Sequence, residues 1–112
     1  MIVAIIGSRD LWVADFEKYL PEEVTEIVSG GARGIDTAAR QYAKEKGIKL
    51  TEFFPDYATH GNRAPLLRNL EIIDYSDMVL AFWDGKSNGT KFVIDHCKKK
   101  GKPYKVFLSQ NT

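Results

Sequence analysis

Val28-Ser-Gly-Gly-Ala-Arg-Gly-Ile-Asp36 is the most informative part of this chain. An apolar pair precedes it, and apolar residues follow it at helical spacing, namely Ile35, Ala38, Ala39, Tyr42 and Ala43. This order predicts the end of a strand, a tight glycine turn and the first turn of a helix. Glycine permits positive φ and lets backbone N–H groups approach a ligand closely. Because a helix N-terminus also attracts negative charge, the pattern predicts an anion site, most often for phosphate.

The residues expected to hold an anion in this turn are Ser29, Gly30, Gly31, Ala32, Arg33 and Gly34. Arg33 adds a forked cation suited to phosphate or carboxylate. The pattern lacks the Gly-Lys-Ser/Thr of the Walker loop and the spacing of the dinucleotide fingerprint, so a turn that only reverses the chain is the alternative. Asp36, in the first helical turn, either caps the loop amides or accepts a hydrogen bond from a ribose hydroxyl.

Composition predicts one cytoplasmic domain spanning residues 1–112. Apolar residues make up 44% of the chain, which is enough for a core, and sixteen basic residues balance fifteen acidic ones. This balance argues against nucleic acid and membrane partners. The single cysteine, Cys97, excludes an internal disulfide, and the N-terminal apolar run is too short for a signal peptide.

Alternating strand and helix patterns predict a doubly wound, three-layer α/β fold, Rossmann-like, with a mostly parallel five-stranded sheet of order 3-2-1-4-5. The predicted strands cover residues 2–6, 26–29, 49–54, 78–82 and 104–108. The predicted helices cover residues 15–20, 33–46, 62–75 and 88–100, with a loop over 56–61 and a frayed tail over 109–112. Pro65 is expected in the first turn of the third helix, and Gly47 and Gly101 are expected to end the second and fourth helices.

Ligands of such sheets bind beyond the carboxyl ends of the strands, where the strand order reverses. Gly7, Ser8 and Arg9 follow the first strand. Ser8 could donate to a phosphate or base and Arg9 could pair with one, or the segment is only a polar strand exit. The loops after the first, second and fourth strands all carry glycine, which is the main argument for a binding site there.

Two further segments supply candidates. In the third helix, Asn69 either ties down a neighbouring loop or faces the ligand, and Arg68 either contacts a phosphate or is solvated. After the fourth strand, Trp83 either stacks on a base or packs against the sheet. The remaining candidates there are Asp84, Gly85, Ser87, Gly89 and Thr90, which open a helix as a second anion cradle or as a plain N-cap.

The four motifs, in chain order GSR, VSGGARGID, RN and FWDGKSNGT, resemble those of the SLOG superfamily over about residues 1–108, and most closely its small YspA-like branch. The resemblance implies a Rossmann-like domain that binds nucleotides or nucleotide-derived ligands. Superfamily members include lonely-guy phosphoribohydrolases, sensors of NAD-derived or ADP-ribose-type signals, and DNA-binding DprA proteins. It also implies that Arg68 lies near a ligand phosphate, and that the chain forms a homo-oligomer, a dimer or a tetramer.

One departure from the lonely-guy pattern bears on activity. Those enzymes carry a Gly-Thr pair followed after two residues by a glutamate used at the ribose, whereas Val93 stands there in this chain. An oxocarbenium-like centre needs a carboxylate, so we expect a sensor or sequestering module that requires no cofactor and no metal. The alternatives are a nucleotide N-glycosidase using Asp84 or Asp36, and DprA-like binding of single-stranded DNA, against which the near-neutral charge argues.

Overall fold

The computed structural model describes residues 1–108 and confirms the predicted α/β architecture. Five parallel strands form one sheet of order β3-β2-β1-β4-β5. The strands are β1 (Ile2–Gly7), β2 (Glu26–Ser29), β3 (Lys49–Glu52), β4 (Met78–Trp83) and β5 (Tyr104–Leu108). The tail predicted to fray, residues 109–112, lies outside the described residues.

The helices of the described chain are α1 (Ile35–Lys46), the short α2 (Tyr57–His60), α3 (Ala64–Tyr75) and α4 (Asn88–Lys100), with a 3-10 turn at Gly61–Arg63. Gly47 and Gly101 end α1 and α4 with φ of 67° and 72°. These left-handed values favour glycine, and the backbone N–H of each glycine caps the last carbonyls of its helix. Both helix ends were predicted from those glycines.

The core consists of two apolar layers, one on each face of the sheet. Alternate residues of β1 point to opposite layers, Val3 and Ile5 to one and Ala4 and Ile6 to the other. The first layer also contains α1 and residues of the β1–β2 connection, and the second contains α3 and α4. Helices therefore cover both faces, which leaves the carboxyl ends of the strands as the open edge.

The helix predicted over residues 15–20 is wrong. The segment forms turns, in which only the N–H groups of Tyr19 and Leu20 donate to the carbonyl of Phe16, at 2.9 and 3.1 Å. The Asp15 carboxylate accepts the Glu17 N–H at 3.0 Å and so competes with helix formation. Phe16 is fully buried and anchors the segment in the core.

Other boundaries shift by a few residues. The strand predicted to reach residue 54 ends at Glu52, and the predicted loop over 56–61 contains α2, where Asp56 accepts the Thr59 N–H at 3.1 Å. The helix predicted from residue 62 starts at Ala64, after the 3-10 turn, and the helix predicted from residue 33 starts at Ile35. Pro65 lies in the first turn of α3, as predicted. Across residues 1–108, every helix is too short or too polar to span a bilayer.

Candidate functional site

A cleft of about 590 Å³ opens at the carboxyl ends of β1, β2 and β4. The strand order reverses at this point, because the chain leaves β1 for β2 on one side and β4 pairs with β1 on the other. The cleft is lined by twelve of the predicted residues, namely Gly7, Arg9, Gly30, Ala32, Arg33, Asp36, Arg68, Asn69, Asp84, Ser87, Gly89 and Thr90. The three glycine-bearing loops therefore meet at one cavity.

The cleft lining does not include Ser8, Ser29, Gly31, Gly34, Trp83 or Gly85. Ser8 is buried beneath the site, where its Oγ accepts the Asp84 N–H at 3.1 Å and so joins the loops after β1 and β4. Trp83 packs against the core on the α4 side, and its Nε1 donates to the Ser87 carbonyl at 3.0 Å. Of the two interpretations of Trp83, the structure supports packing.

Three of the predicted glycines are required by close packing. A Cβ on Gly7 would lie 2.6 Å from Ile35 Cγ1, and one on Gly30 would lie 2.6 Å from Arg68 Nη1. Gly34, with φ of 73°, packs against the backbone of Arg9, where a Cβ would collide. The glycine turn after β2 is thereby pressed against both the β1 loop and α3. These glycines bring the walls of the cleft together, which explains their presence without a ligand.

The Asp36 carboxylate occupies the turn itself. It is 6% exposed, and its Oδ2 accepts the Ala32 N–H at 3.1 Å, so the predicted capping role is present. Burial raises the pKa of Asp36, while the Ala32 N–H, the Arg68 charge and the Ser29 hydroxyl act in the opposite direction. Oδ1 is buried without a hydrogen bond of standard geometry to any described residue. One amide expected to bind phosphate is therefore already used by an internal carboxylate.

Arg68 fastens α3 to the glycine turn. Its Nη1 donates to the carbonyls of Gly30 at 2.6 Å and Phe53 at 3.3 Å, and its Nε donates to Asn69 Oδ1 at 2.9 Å. Burial lowers the pKa of the Arg68 guanidinium, and the nearby Asp36 carboxylate opposes this. Arg68 is therefore a structural clamp that also lines the cleft, not a solvated arginine. Asn69 lies at the cleft wall and orients that clamp.

The N-terminus of α4 forms the opposite wall. Ser87 is the N-cap, and its Oγ accepts the Thr90 N–H at 3.4 Å. Asp84 Oδ1 accepts the N–H groups of Lys86 and Ser87, both at 2.8 Å, and these bonds lower the pKa of Asp84. A Cβ added to Gly89 would meet nothing within 4 Å, and its φ is not in the left-handed region. Neither packing nor backbone conformation therefore requires glycine at position 89.

Positive charge is concentrated at the mouth. Arg33 forms an exposed ion pair with Asp10 at 3.4 Å, which contributes little to stability. Arg9 forms no ion pair with any residue in the range 1–108. With Arg68 and Lys86, the cleft carries four cationic side chains against the carboxylates of Asp10, Asp36 and Asp84. Asp10, Lys86 and Asn88 were not predicted as site residues, although each directly adjoins a predicted one.

A second cavity of about 310 Å³ adjoins the first, and sequence reasoning missed its distinctive residues. It shares Arg9, Arg33 and Arg68 with the cleft and adds Phe54, Pro55 and Tyr57. The Phe54 and Tyr57 side chains are 62% and 57% exposed. The sequence signal was a Phe-Pro pair directly after a strand with tyrosine two positions on, but an aromatic pair near a turn is common in loops without any binding role.

Val93, which stands where the lonely-guy enzymes have glutamate, and the nearby Asp95 lie outside the cleft lining. Val93 is 2% exposed in the core between α4 and the sheet, and Asp95 pairs with Lys91 at 3.7 Å on an exposed face of α4. Cys97 is fully buried in the core, and this burial raises the pKa of its thiol. Among the described residues, no three His, Cys, Asp or Glu side chains converge as a metal site would require.

Comparison with known proteins agrees with the motifs. The Gene 61 protein of Mycobacterium phage D29 is 36% identical over 83 residues, which cover 69% of this chain and 66% of that protein. The chain thus matches slightly less than two thirds of this relative's length. No solved structure matches. A family model described as YAcAr, the YspA, cpYpsA-related SLOG family, matches residues 1–60, which is more than half of the 112 residues and contains the first two motifs. The chain therefore belongs to the YspA, cpYpsA-related SLOG family.

Proposed function

We propose that this chain binds a nucleotide or nucleotide-derived ligand in the cleft, as a sensor or sequestering module. The observation that carries the proposal is Gly89 at the first turn of α4. Glycine in the middle of a helix costs about 0.5–1 kcal/mol relative to alanine, and less in the first turn, where Gly89 lies. Nothing in the packing around Gly89 offsets this cost. A ligand phosphate that approaches the α4 amides closely would account for the missing side chain.

The other walls suit the remainder of a nucleotide. The arginine side chains at the mouth, Arg9 and Arg33, would attract a phosphate and hold it beside the α4 N-terminus. Asp36 and Asn69 on the facing wall would meet ribose hydroxyls, since carboxylate and amide oxygens accept hydrogen bonds. Because Asp36 already binds the Ala32 N–H, the glycine turn would contribute less to phosphate binding than the α4 terminus.

The test is a thermal-shift panel with mass spectrometry of the same samples. The ligands are nucleoside mono-, di- and triphosphates, NAD, ADP-ribose and cyclic relatives. A ligand at 100 times its Kd adds about 2.7 kcal/mol to the free energy of unfolding, which raises Tm by several degrees. We expect a shift with the ligand recovered intact. Absence of any shift across the panel would overturn the proposal.

A second candidate is hydrolysis of a nucleotide N-glycosidic bond. Two carboxylates line the same cleft with pKa values displaced in opposite directions, Asp36 upward by burial and Asp84 downward by backbone N–H groups. Two carboxyl groups whose pKa values are displaced in opposite directions can act separately, one as proton donor and the other as stabiliser of positive charge. Asp36 would then protonate the leaving base, and Asp84 would stabilise the developing positive charge on the ribose.

Base release separates the two candidates. Chromatography of nucleoside monophosphates incubated with the protein would detect free base if hydrolysis occurs. Asp84→Asn should abolish release while the ligand still raises Tm, and Asp95→Asn is the matched control on the exposed face of α4. If no member of the panel yields free base, the hydrolase candidate is excluded and binding alone remains.

A further inference from the structure

We propose that Phe54 and Tyr57 form a stacking subsite for the base of the bound nucleotide. The inference rests on the proposed function and extends it, because it assigns the second cavity a chemical class of ligand group. That cavity adjoins the cleft, since Arg9, Gly30 and Arg68 line both. A ligand held at α4 can therefore extend past Asp36 and Arg68 into the second cavity.

Phe54 is a positioned ring with a large exposed surface. It lies directly against Gly31, whose φ is 73°, and a Cβ at position 31 would collide with the ring. Gly31 thus has two reasons to be glycine, and one of them is to receive Phe54. The ring is nevertheless 62% exposed, so its contact with the turn leaves most of its surface uncovered. An aromatic side chain fixed in this way is suited to stacking on a planar group.

Tyr57 is fixed by the start of α2. Asp56 caps that helix through the Thr59 N–H, and Pro55 precedes the cap, so the backbone around Tyr57 is constrained. The Tyr57 side chain is 57% exposed on the same cavity. Phe54 and Tyr57 thus present two rings on a short, locally ordered segment.

The charges of the second cavity favour an electron-rich ring. Three arginines and no carboxylate line it, whereas three aspartates line the cleft. A guanidinium can stack on a base face or donate to base acceptors. Arg33 and Arg68 already have partners, whereas Arg9 forms no ion pair with a described residue. A nucleobase offers a π face and acceptors to these guanidinium groups and an aliphatic group does not, so a nucleobase fits the lining better.

The experiment compares ligands with and without a base by titration calorimetry. The probes are the four ribonucleoside 5′-monophosphates and ribose 5-phosphate. Phe54→Ala and Tyr57→Ala should each weaken binding of the preferred monophosphate about tenfold, the size of one lost stacking contact. Both variants should bind ribose 5-phosphate as the unmodified protein does. Trp12→Ala is the matched control, because Trp12 is 54% exposed but lines neither cavity.

The outcomes separate this inference from the proposed function. If Phe54→Ala and Tyr57→Ala weaken binding of the monophosphate and of ribose 5-phosphate equally, the rings only maintain the shape of the turn. If monophosphate binding is unchanged, the base binds elsewhere. Either result overturns the subsite. If both variants change the oligomeric mass measured by light scattering but bind the monophosphate normally, the two rings belong to an interface between copies of the chain. In that case too, the proposed subsite is wrong. If the unmodified protein binds none of these probes but binds another member of the thermal-shift panel, the proposed function stands and the variants are compared with that ligand and its base-free analogue; if it binds no member of that panel, the proposed function fails and the subsite fails with it. Phe54→Trp should retain affinity and show fluorescence quenching by the monophosphate.

Discussion

At the scale of single residues, the glycines divide into two groups that the sequence does not distinguish. Gly7, Gly30 and Gly34 are required because side chains or backbone from other segments approach them closely. Gly89 has open space around it and a backbone conformation that alanine adopts readily. This difference comes from tertiary contacts, so it was invisible in the motif and becomes testable only with the structure.

Gly89→Ala should raise stability and reduce binding. We expect the free energy of unfolding to increase by about 0.5 kcal/mol, because alanine loses less backbone entropy. Nucleotide affinity should fall tenfold or more, because the new methyl group meets the phosphate. Denaturant melts and calorimetry measure the two effects. Gly101→Ala is the control with the opposite expected pattern. Position 101 has a φ of 72°, so alanine there should lower stability, while the variant should bind ligand normally. Unchanged affinity in Gly89→Ala would contradict the phosphate position.

Asp36→Asn should change how the free energy of unfolding depends on pH. Burial raises the pKa of Asp36 in the folded protein. Its contribution to stability is therefore complete below the unfolded pKa of about 3.9 and is lost as the pH rises through the folded pKa. Asparagine keeps an acceptor for the Ala32 N–H without the charge. Denaturant melts from acid to neutral pH should show the variant gaining stability relative to the unmodified protein as pH rises. If the difference in free energy of unfolding between the two proteins does not change with pH, the prediction that Asp36 is buried with a raised pKa is wrong.

At the scale of elements, the site depends on how α3 is fastened to the glycine turn. Arg68 donates to Gly30 in the glycine turn, to Phe53 just after β3, and to Asn69 beside it on α3. For the RN motif the sequence left open a structural role and a ligand contact; the hydrogen bonds show a structural role, and the ligand contact stays a prediction. The sequence left both open because of distance along the chain: the partners of Arg68 lie 38 and 15 residues away, and no local pattern indicates them.

Arg68→Lys should lower the free energy of unfolding by about 2 kcal/mol. The lysine ammonium group cannot reach all three acceptors as the forked guanidinium does, so the carbonyls it no longer reaches lose their hydrogen-bond donor. Tm should fall by several degrees. Arg63→Lys, in the exposed 3-10 turn before α3, provides the comparison and should change stability by less than about 0.5 kcal/mol. Similar melting of the two variants would show that the clamp contributes nothing beyond surface charge.

The elements themselves were largely predictable, and the exceptions have physical causes. The β-branched run of β1 and the end glycines of α1 and α4 are local signals, and the structure agrees with them. The predicted helix over 15–20 failed because one buried aromatic, Phe16, anchors a segment in which a single turn of hydrogen bonds forms and no further helical bond follows. The second cavity was missed because Phe54 becomes significant only where it meets Gly31, a contact between two loops. Homo-oligomerisation remains a prediction that light scattering would test.

At the scale of the whole molecule, the two ends of the sheet have different chemistry. The cleft occupies the carboxyl ends of the strands, while Glu26, at the start of β2, is buried near the opposite end. Its Oε2 accepts the hydroxyls of Thr51 at 2.6 Å and Tyr75 at 2.7 Å, and Lys49 lies 3.5 Å from Oε1. The Thr51 hydroxyl above all, with Tyr75 and Lys49, outweighs desolvation and lowers the pKa of Glu26. One carboxylate therefore joins β2, β3 and α3.

Glu26 should govern part of the acid unfolding. Because its folded pKa is lowered, its stabilisation is complete above the unfolded pKa of about 4.3 and is lost as pH falls through the folded value. Glu26→Gln should lower stability by about 1–3 kcal/mol at neutral pH and flatten its decline in acid. Melts between pH 3 and pH 7 measure both, and ligand affinity at pH 7 is the control. If the stability of Glu26→Gln declines between pH 7 and pH 3 as steeply as that of the unmodified protein, this role of Glu26 is wrong.

The β1–β2 connection, residues 8–25, encloses core without forming a helix. Its backbone hydrogen bonds within the segment are few, and the fully buried Phe16 anchors it, with edge contacts to Tyr42 and Phe82 at centroid distances of 5.7 and 5.3 Å. Amide protons of this segment should therefore exchange with solvent long before those of β1 or α1, although Leu11 and Phe16 are as buried as the core residues of those elements. Arg9 and Asp10, at the start of this segment, line the cleft. The degree to which a ligand slows amide exchange there would therefore report occupancy without any labelled nucleotide.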